Sequence, residues 1–337
     1  AIGLTLLVGR WASMVFSNWQ WFAALDALPV YRSELAHEAA WRAGAAVVVF
    51  AFAFLNLYAL RRSIISLVLP RRIGNLEIGE AVPGPILVAV VVGVSTLLAI
   101  VLSSPPGDWT TFAFARIAEP FRDMDPYLDR DISFVVAWLP FETELHDWSG
   151  TVMVVVSAMI VTLYALTPSL RLRRSGLYIS SYCRRHLSSL AAIGLILIAW
   201  RFRLDGLSMT SIGTDASSPF GAYEYRLGMA AATWASVVAA AAAFVVFWGG
   251  WHGYIRVAAV AGLAGCLGGP LLVGALPLLT GRALTAAERR EQNRPFAATR
   301  RLFTRRAFGV DEMVDGTTQA PSGVAPLAMA AGLPSWD

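Results

Sequence analysis

The chain of 337 residues is 56% apolar and only 15% charged, with a formal net charge of +4. Soluble domains carry about 25% charged residues, so this composition excludes an ordinary soluble globular domain and points to a membrane protein. The basic residues are all arginine and sit at helix ends and in one tail, which argues against nucleic acid as a partner.

Residues 1–16 form a first apolar segment, short for a full crossing, with Arg10 placed to snorkel toward the interface. The chain opens in apolar sequence with no charged leader, which reads as a piece of a longer chain and not as a secretory signal peptide. Residues 17–41 carry Trp19, Trp21, Phe22, Tyr31 and Trp41, aromatics that favour the headgroup level, so a short interfacial helix is expected there. The second span, 42–60, is ended by Arg61 and Arg62, and Arg71 and Arg72 follow. The third, 85–102, opens with a proline suited to a helix start. Residues 103–147 hold nine acids against three arginines; within them ISFVVAWLPF has strand-like or interfacial composition, too short to span.

The fourth span, 148–168, orients the rest. About twenty apolar residues cross a bilayer core of ~30 Å at ~1.5 Å each. Acids precede this span, whereas Arg171, Arg173, Arg174, Arg184 and Arg185 follow it, so it runs from outside to cytoplasm. The fifth span, 186–200, ends outside at Arg201 and Arg203, against the general trend, and a polar loop over 205–225 follows. The sixth, 227–248, is alanine-rich; GGWHGYIR is a tight inner turn; the seventh, 257–280, carries Gly262, Gly265, Gly268, Gly269 and Pro270. Small residues at such spacing let helix backbones approach, so spans six and seven are expected to pack together. Seven crossings from a cytoplasmic start place the tail 281–337 outside, although its eight arginines, Arg282 to Arg306, would favour the inside on a literal count. AAERREQNRPFAATRRLFTRRAF reads as an amphipathic helix with Phe296, Leu302, Phe303 and Phe308 among the arginines, suited to a membrane surface or lipid headgroups. After Asp311 the composition is that of a linker. The expected fold is an all-α polytopic membrane protein: a seven-helix transmembrane domain over 1–280, interfacial helices in the outer loops, and an extracytoplasmic C-terminal tail.

Three stretches, WQWFAALDALPVYRSEL, ISFVVAWLPFETEL and TRRAFGVDEM with Arg294 and Pro295 upstream, together resemble the motifs of a bacterial membrane-protein family, uncharacterised protein family 0182. Val135 and Val136 stand where that family usually has aromatics, and Phe303 replaces its Asn-Ile pair. The resemblance implies seven N-terminal transmembrane helices followed by a large extracytoplasmic domain, of which this chain would cover the membrane half; it implies no catalytic residues.

Chemistry-bearing residues are few. Asp123, Asp125, Asp129 and Asp131 fall within nine residues and could offer oxygen ligands to Ca²⁺, but the run lacks the glycine and terminal glutamate of an EF-hand loop and reads as a solvated acidic loop. His37, His146, His186 and His252 are scattered, none with a second ligand three or four residues on, and read as interfacial residues. The predicted spans contain no acid, which weighs against proton-coupled transport. Cys183, in a predicted inner loop, and Cys266, inside a predicted span, would not meet. Gly269-Pro270 is a packing kink or, on a transporter reading, an unwound hinge. Gly262, Gly265, Gly269 and Pro270 are therefore the expected helix-packing residues. Trp19, Trp21, Trp41, Arg171, Arg173 and Arg174 are the expected interface residues. The chain is expected to be a non-enzymatic structural or accessory subunit of the bacterial inner membrane, contacting lipid and other membrane-protein subunits, with no cofactor. The alternatives are a transporter or channel for a lipid or envelope component built on the Gly-rich seventh helix, and, further off, an enzyme whose residues lie in an outer domain.

Overall fold

The structure is a computed structural model that describes residues 2–65, 84–104, 109–173, 176–212, 220–280 and 285–310. It is helical almost throughout: α1 (Ile2–Ala24), α2 (Leu28–Ile65), α3 (Gly84–Leu102), α4 (Trp109–Ile117), α5 (Leu139–Leu166), α6 (Ser181–Ile212), α7 (Met229–His252), α8 (Ile255–Thr280) and α9 (Ala286–Ala307). Among the described residues six helices are long and apolar enough to cross a membrane: α2, α3, α5 with the turn before it, α6, α7 with the turn before it, and α8. The expected first span over 1–16 is instead part of the 23-residue α1, which is not among those six: Arg10, Ser13, Ser17 and Asn18 dilute its apolar run.

Two boundary expectations are corrected. Residues 17–41 do not form a separate interfacial helix. Their first part continues α1, the chain turns at Leu25–Ala27 with Asp26 at φ 53°, and the rest runs unbroken into α2. No Gly or Pro interrupts α2 between Pro29 and Gly44, and Glu38 pairs with Arg42 one turn on, so nothing in the sequence stops the helix at the membrane edge. At ~1.5 Å per residue its 38 residues reach about 57 Å, nearly twice a bilayer core. Nor is ISFVVAWLPF strand-like: it forms a π-helical turn, Phe134–Trp138, that flows into α5. Pro140 has no N–H to give Val136, and the Leu139 N–H bonds back five residues to Phe134 instead. A second π-helical turn, Glu224–Gly228, leads into α7.

The core lies where α2, α3, α5 and α6 meet. Val49, Ala53, Leu57 and Leu60 of α2 face Val152, Val156, Ile160 and Tyr164 of α5, with Val91 and Ala99 of α3 closing the side. These recur at three- and four-residue steps, one stripe per helix. A second cluster joins Ala192 and Leu195 of α6 to Ala242, Ala243 and Val246 of α7. The outward stripes stay bare: Leu55 is 66% and Phe244 70% exposed. Such a belt of exposed apolar side chains around a helix bundle fits contact with a lipid bilayer.

Between α5 and α6, β3 (Leu170–Arg173) and β4 (Gly176–Ile179) form an antiparallel hairpin, an element not expected from the arginine-rich sequence there. At the same end Gly253, at φ 95°, caps α7 with its N–H on the Gly249 carbonyl, and Arg184 donates through Nε to the Gly250 carbonyl at 2.7 Å. Cys183 lies in the first turn of α6 rather than in a loop, and both it and Cys266 are free thiols.

Candidate functional site

The most constructed surface is the one on which α9 docks. Thr285 starts that helix by a capping box: its hydroxyl accepts the Glu288 N–H at 3.3 Å, and the Glu288 carboxylate accepts the Thr285 N–H at 2.7 Å. Hydrogen bonds donated by Thr285, its backbone N–H first and then its hydroxyl at 2.8 Å, hold the Glu288 carboxyl below the usual carboxylate range. Asn293, Phe296, Arg300 and Phe303 fall on one face of α9 by their spacing. The Phe296 ring stacks on Tyr127 at 5.3 Å and lies 5.9 Å from both Phe220 and Tyr225. Asn293 Oδ1 accepts the Ala222 N–H at 3.0 Å, and Arg300 donates to the Phe220 carbonyl at 2.9 Å. Gly221 makes room for this approach, since a Cβ there would lie 2.6 Å from Asn293 Oδ1. Arg306 reaches Asp123 at 3.4 Å.

The surface opposite α9 is held by the acidic run. β1 (Met124–Asp125) and β2 (Arg130–Asp131) pair antiparallel across a short turn. Asp131 accepts the N–H groups of Phe121 at 3.0 Å, Arg122 at 2.8 Å and Ser133 at 2.8 Å. Hydrogen bonds from Ser133, side chain first, and then from Phe121 and Arg122 keep its carboxyl below the ordinary value. Asp125 accepts from Tyr127 and Leu128 as an Asx turn, and Asp129 holds φ 52°. Among the described residues no three acids, histidines or cysteines converge as a metal site would require. A cavity of about 250 Å³ remains between hairpin and helix, lined by Tyr127, Ile132, Val135, Thr210, Phe220 and Phe296, with Asp125 and Arg300 at its polar edge. That is smaller than most ligand pockets, which run from roughly 300 Å³ upward.

Two polar networks tie the bundle. Beside the α9 surface, Glu142 accepts from Trp138 Nε1 at 3.2 Å and Trp200 Nε1 at 2.8 Å, and pairs with Arg203; Arg201 bridges Asp147 and Asp205. His146 has Asp147 at 3.0 Å on Nδ1 and the Leu197 carbonyl at 3.0 Å on Nε2, so only the doubly protonated ring donates to both. These groups were placed outside the fourth span by sequence; α5 begins before them and carries Glu142, Glu144, His146 and Asp147 on the spanning helix itself. At the opposite end, Tyr164 O–H lies 2.8 Å from His186 Nδ1 and His186 Nε2 2.9 Å from Asn56 Oδ1, while Asn56 Nδ2 donates to the Phe52 carbonyl at 2.7 Å. A ring with its single proton on Nε2 satisfies that chain in full, linking α5, α6 and α2. His186 was expected to be an ordinary interfacial residue; its two partners, 22 and 130 positions away, leave no local sequence signal.

The helix-packing residues are distributed as follows. A Cβ on Gly265 would lie 2.8 Å from Ala242 Cβ and 2.9 Å from Leu195 Cδ2, one on Gly269 would overlap the Phe202 ring, and one on Gly262 would sit 3.7 Å from Val246. Pro270 is exposed and lies within α8, whose backbone stays helical from Ile255 to Thr280 with no unwound segment. Trp19 meets Tyr31 edge-on beneath the Arg32 guanidinium, Trp21 packs on Phe22, and Trp41 stacks on Phe112 at 4.8 Å. Arg171 and Arg173 belong to β3; Arg174 lies outside the described residues, as do Arg71, Arg72, Arg282 and everything after Val310.

The model of the family described as Uncharacterised protein family (UPF0182) matches residues 1–329. Similar curated bacterial proteins, each named only as a UPF0182 protein, include one from Moorella thermoacetica, 26% identical over 340 residues, covering 96% of this chain and 36% of that protein. Another, from Desulforamulus reducens, is 20% identical over 339 residues, covering 93% of this chain and 36% of the relative. A third, from Synechococcus sp., is 26% identical over 199 residues, 59% of this chain and 21% of its own length. The chain thus spans about a third of the length of the first two relatives. No solved structure matches.

Proposed function

The chain belongs to the uncharacterised protein family UPF0182, and from that premise we propose that it is a non-enzymatic scaffold of the bacterial cytoplasmic membrane, an accessory subunit that presents a fixed platform to other membrane proteins. The observation that carries the reading is the docked α9. Its rings, its amide and two of its arginines are engaged in fixing one helix across Val135 and Thr210, at the ends of two spanning helices, and Phe220, just ahead of a third. The carboxylates beneath hold backbone N–H groups. Such an arrangement favours rigidity over turnover.

In this reading α1 is the seventh crossing, 23 residues giving about 34 Å. The N-terminus is cytoplasmic, the domain of crossings ends near 280, and the platform is extracytoplasmic. Support comes from α9 lying on the same face as the acidic hairpin, while Arg184 and Arg185 mark the other end of α6. The test is twofold. A reporter fluorescent only in the cytosol, fused after Gly309, is expected to stay dark; a bright fusion overturns the orientation. Extraction in mild detergent is expected to yield a stoichiometric membrane-protein partner that Phe296→Ala with Arg300→Gln releases. A monodisperse monomer under every gentle extraction overturns the scaffold.

A further inference from the structure

α9 has a second face. With its docked stripe turned inward, Arg290, Arg294, Arg301 and Arg305 project from the far side, within about 60° of one another at ~100° per residue. They form a row about 22 Å long. At the edge of this face Arg301, Thr304, Arg305 and Phe308, with the docked Arg300 on the inner side, line a shallow hollow. Phe308 is 77% exposed, and Leu302, on the adjoining flank, is 45% exposed. Of the acids of α9, Glu288 is held in the capping box, and Glu291 meets Arg294 at 3.6 Å with both side chains about three-quarters exposed, a pairing of little strength; Arg305 keeps a contact of its own besides.

The height of the row on the molecule decides what faces it. Phe296 touches Tyr225 in the first turn of the span Glu224–His252. The cavity under α9 is walled by Val135 at the start of one span and Thr210 at the end of another. The helix therefore sits at the depth where apolar spans give way to lipid headgroups. A row of guanidinium groups with one exposed ring, Phe308, and one exposed leucine, Leu302, beside it at that depth matches a layer of phosphates above acyl chains.

We propose that the outward face of α9 binds the phosphate headgroups of anionic phospholipids in the surrounding leaflet, with Arg290, Arg294, Arg301 and Arg305 as donors and Phe308 inserted beside them. This rests on the docking of α9 and is independent of the subunit role proposed above. Arginine suits the task because its planar fork pairs with two phosphate oxygens at once.

The test uses the full chain in nanodiscs of phosphatidylcholine alone or with about one-quarter phosphatidylglycerol. Native mass spectrometry counts the lipids retained, and a fluorophore at Thr304→Cys in a Cys266→Ser background reports the local environment. The wild-type chain is expected to retain phosphatidylglycerol selectively and to shift the probe. R290Q/R294Q/R301Q/R305Q is expected to lose about tenfold in that preference, and the four-lysine variant to regain most of it. Hydrogen exchange over 293–303 checks that α9 stays docked; if the fourfold variant undocks, R301Q/R305Q replaces it. Unchanged phosphatidylglycerol retention in the glutamine variant overturns the proposal. So does equal retention of phosphatidylcholine, or a face that captures an acidic peptide or oligonucleotide while ignoring the lipid.

Discussion

Gly265→Ala isolates the close approach of α8 to α7. The added Cβ would meet Ala242 Cβ at 2.8 Å and Leu195 Cδ2 at 2.9 Å, with Ala239 Cα at 3.6 Å behind them. Carbon atoms rest at about 3.5–4.0 Å, so the helices must part by roughly 0.7–1.2 Å at this level. Leu195 can swing aside, but Ala242 is one bond from its own backbone and moves only with α7. Overpacking of this kind costs about 1–3 kcal/mol, from which the helix preference of alanine over glycine recovers up to about 1 kcal/mol. The expected net loss is about 1–2 kcal/mol. Unfolding in a mild detergent titrated with dodecyl sulfate, followed by helical circular dichroism, measures it. Gly274→Ala is the control: it lies in the same helix with nothing within 4 Å, and is expected to leave stability unchanged or slightly raised. Ala242→Gly in the Gly265→Ala background should recover most of the loss, a coupling that distant sites do not show. If Gly265→Ala unfolds like Gly274→Ala, or the double variant is simply additive, α7 and α8 are not in the contact described.

Three further outcomes follow from the polar groups. Ser95 is fully buried on α3 and its hydroxyl has no partner among the described residues, so Ser95→Ala is expected to stabilise by about 1 kcal/mol in the same unfolding assay; a loss would mean the hydroxyl is used. His186→Phe removes the middle of the Tyr164–His186–Asn56 chain and is expected to cost about 1–2 kcal/mol, with Asn56→Ala adding little on top of it. The Asp131 carboxyl titrates below its ordinary value in the folded chain, so its contribution is present above about pH 4 and is lost as pH falls through the lowered folded value. Hydrogen exchange of 121–133 should therefore quicken on acidification in the wild-type chain, beyond the intrinsic pH trend, and respond less in Asp131→Asn.

The spanning helices could be read from sequence because each announces itself in about twenty consecutive apolar residues, a signal that needs no partner. What escaped depends on partners or on the absence of a stop. Nothing local says that Leu28 starts a helix running through to Ile65, or that Pro140 is absorbed by a π turn instead of ending a segment. The hairpin of Leu170–Arg173 with Gly176–Ile179 pairs an arginine-bearing strand with an apolar one, in a stretch that composition alone reads as loop. The rings that seat α9 lie in three polar stretches that look like ordinary connections, at Tyr127, at Phe220 and Tyr225, and at Phe296. Part of that site was nevertheless visible: of Phe296, Leu302, Phe303 and Phe308, read as the apolar side of an amphipathic helix, Phe296 and Phe303 turn to the docked face, whereas Leu302 and Phe308 stay exposed.

Four long helices, α5 to α8, separate the hairpin bearing Tyr127 from the helix bearing Phe296, and the two meet. Only an even number of traverses between them permits that handshake. A nascent chain that skipped one traverse, or added one, would deliver Phe296 to the wrong side of the bilayer and leave Tyr127, Phe220 and Tyr225 without their lid. The contact thus ties the parity of the traverses to the seating of one ring, and it can close only after the last traverse has been threaded.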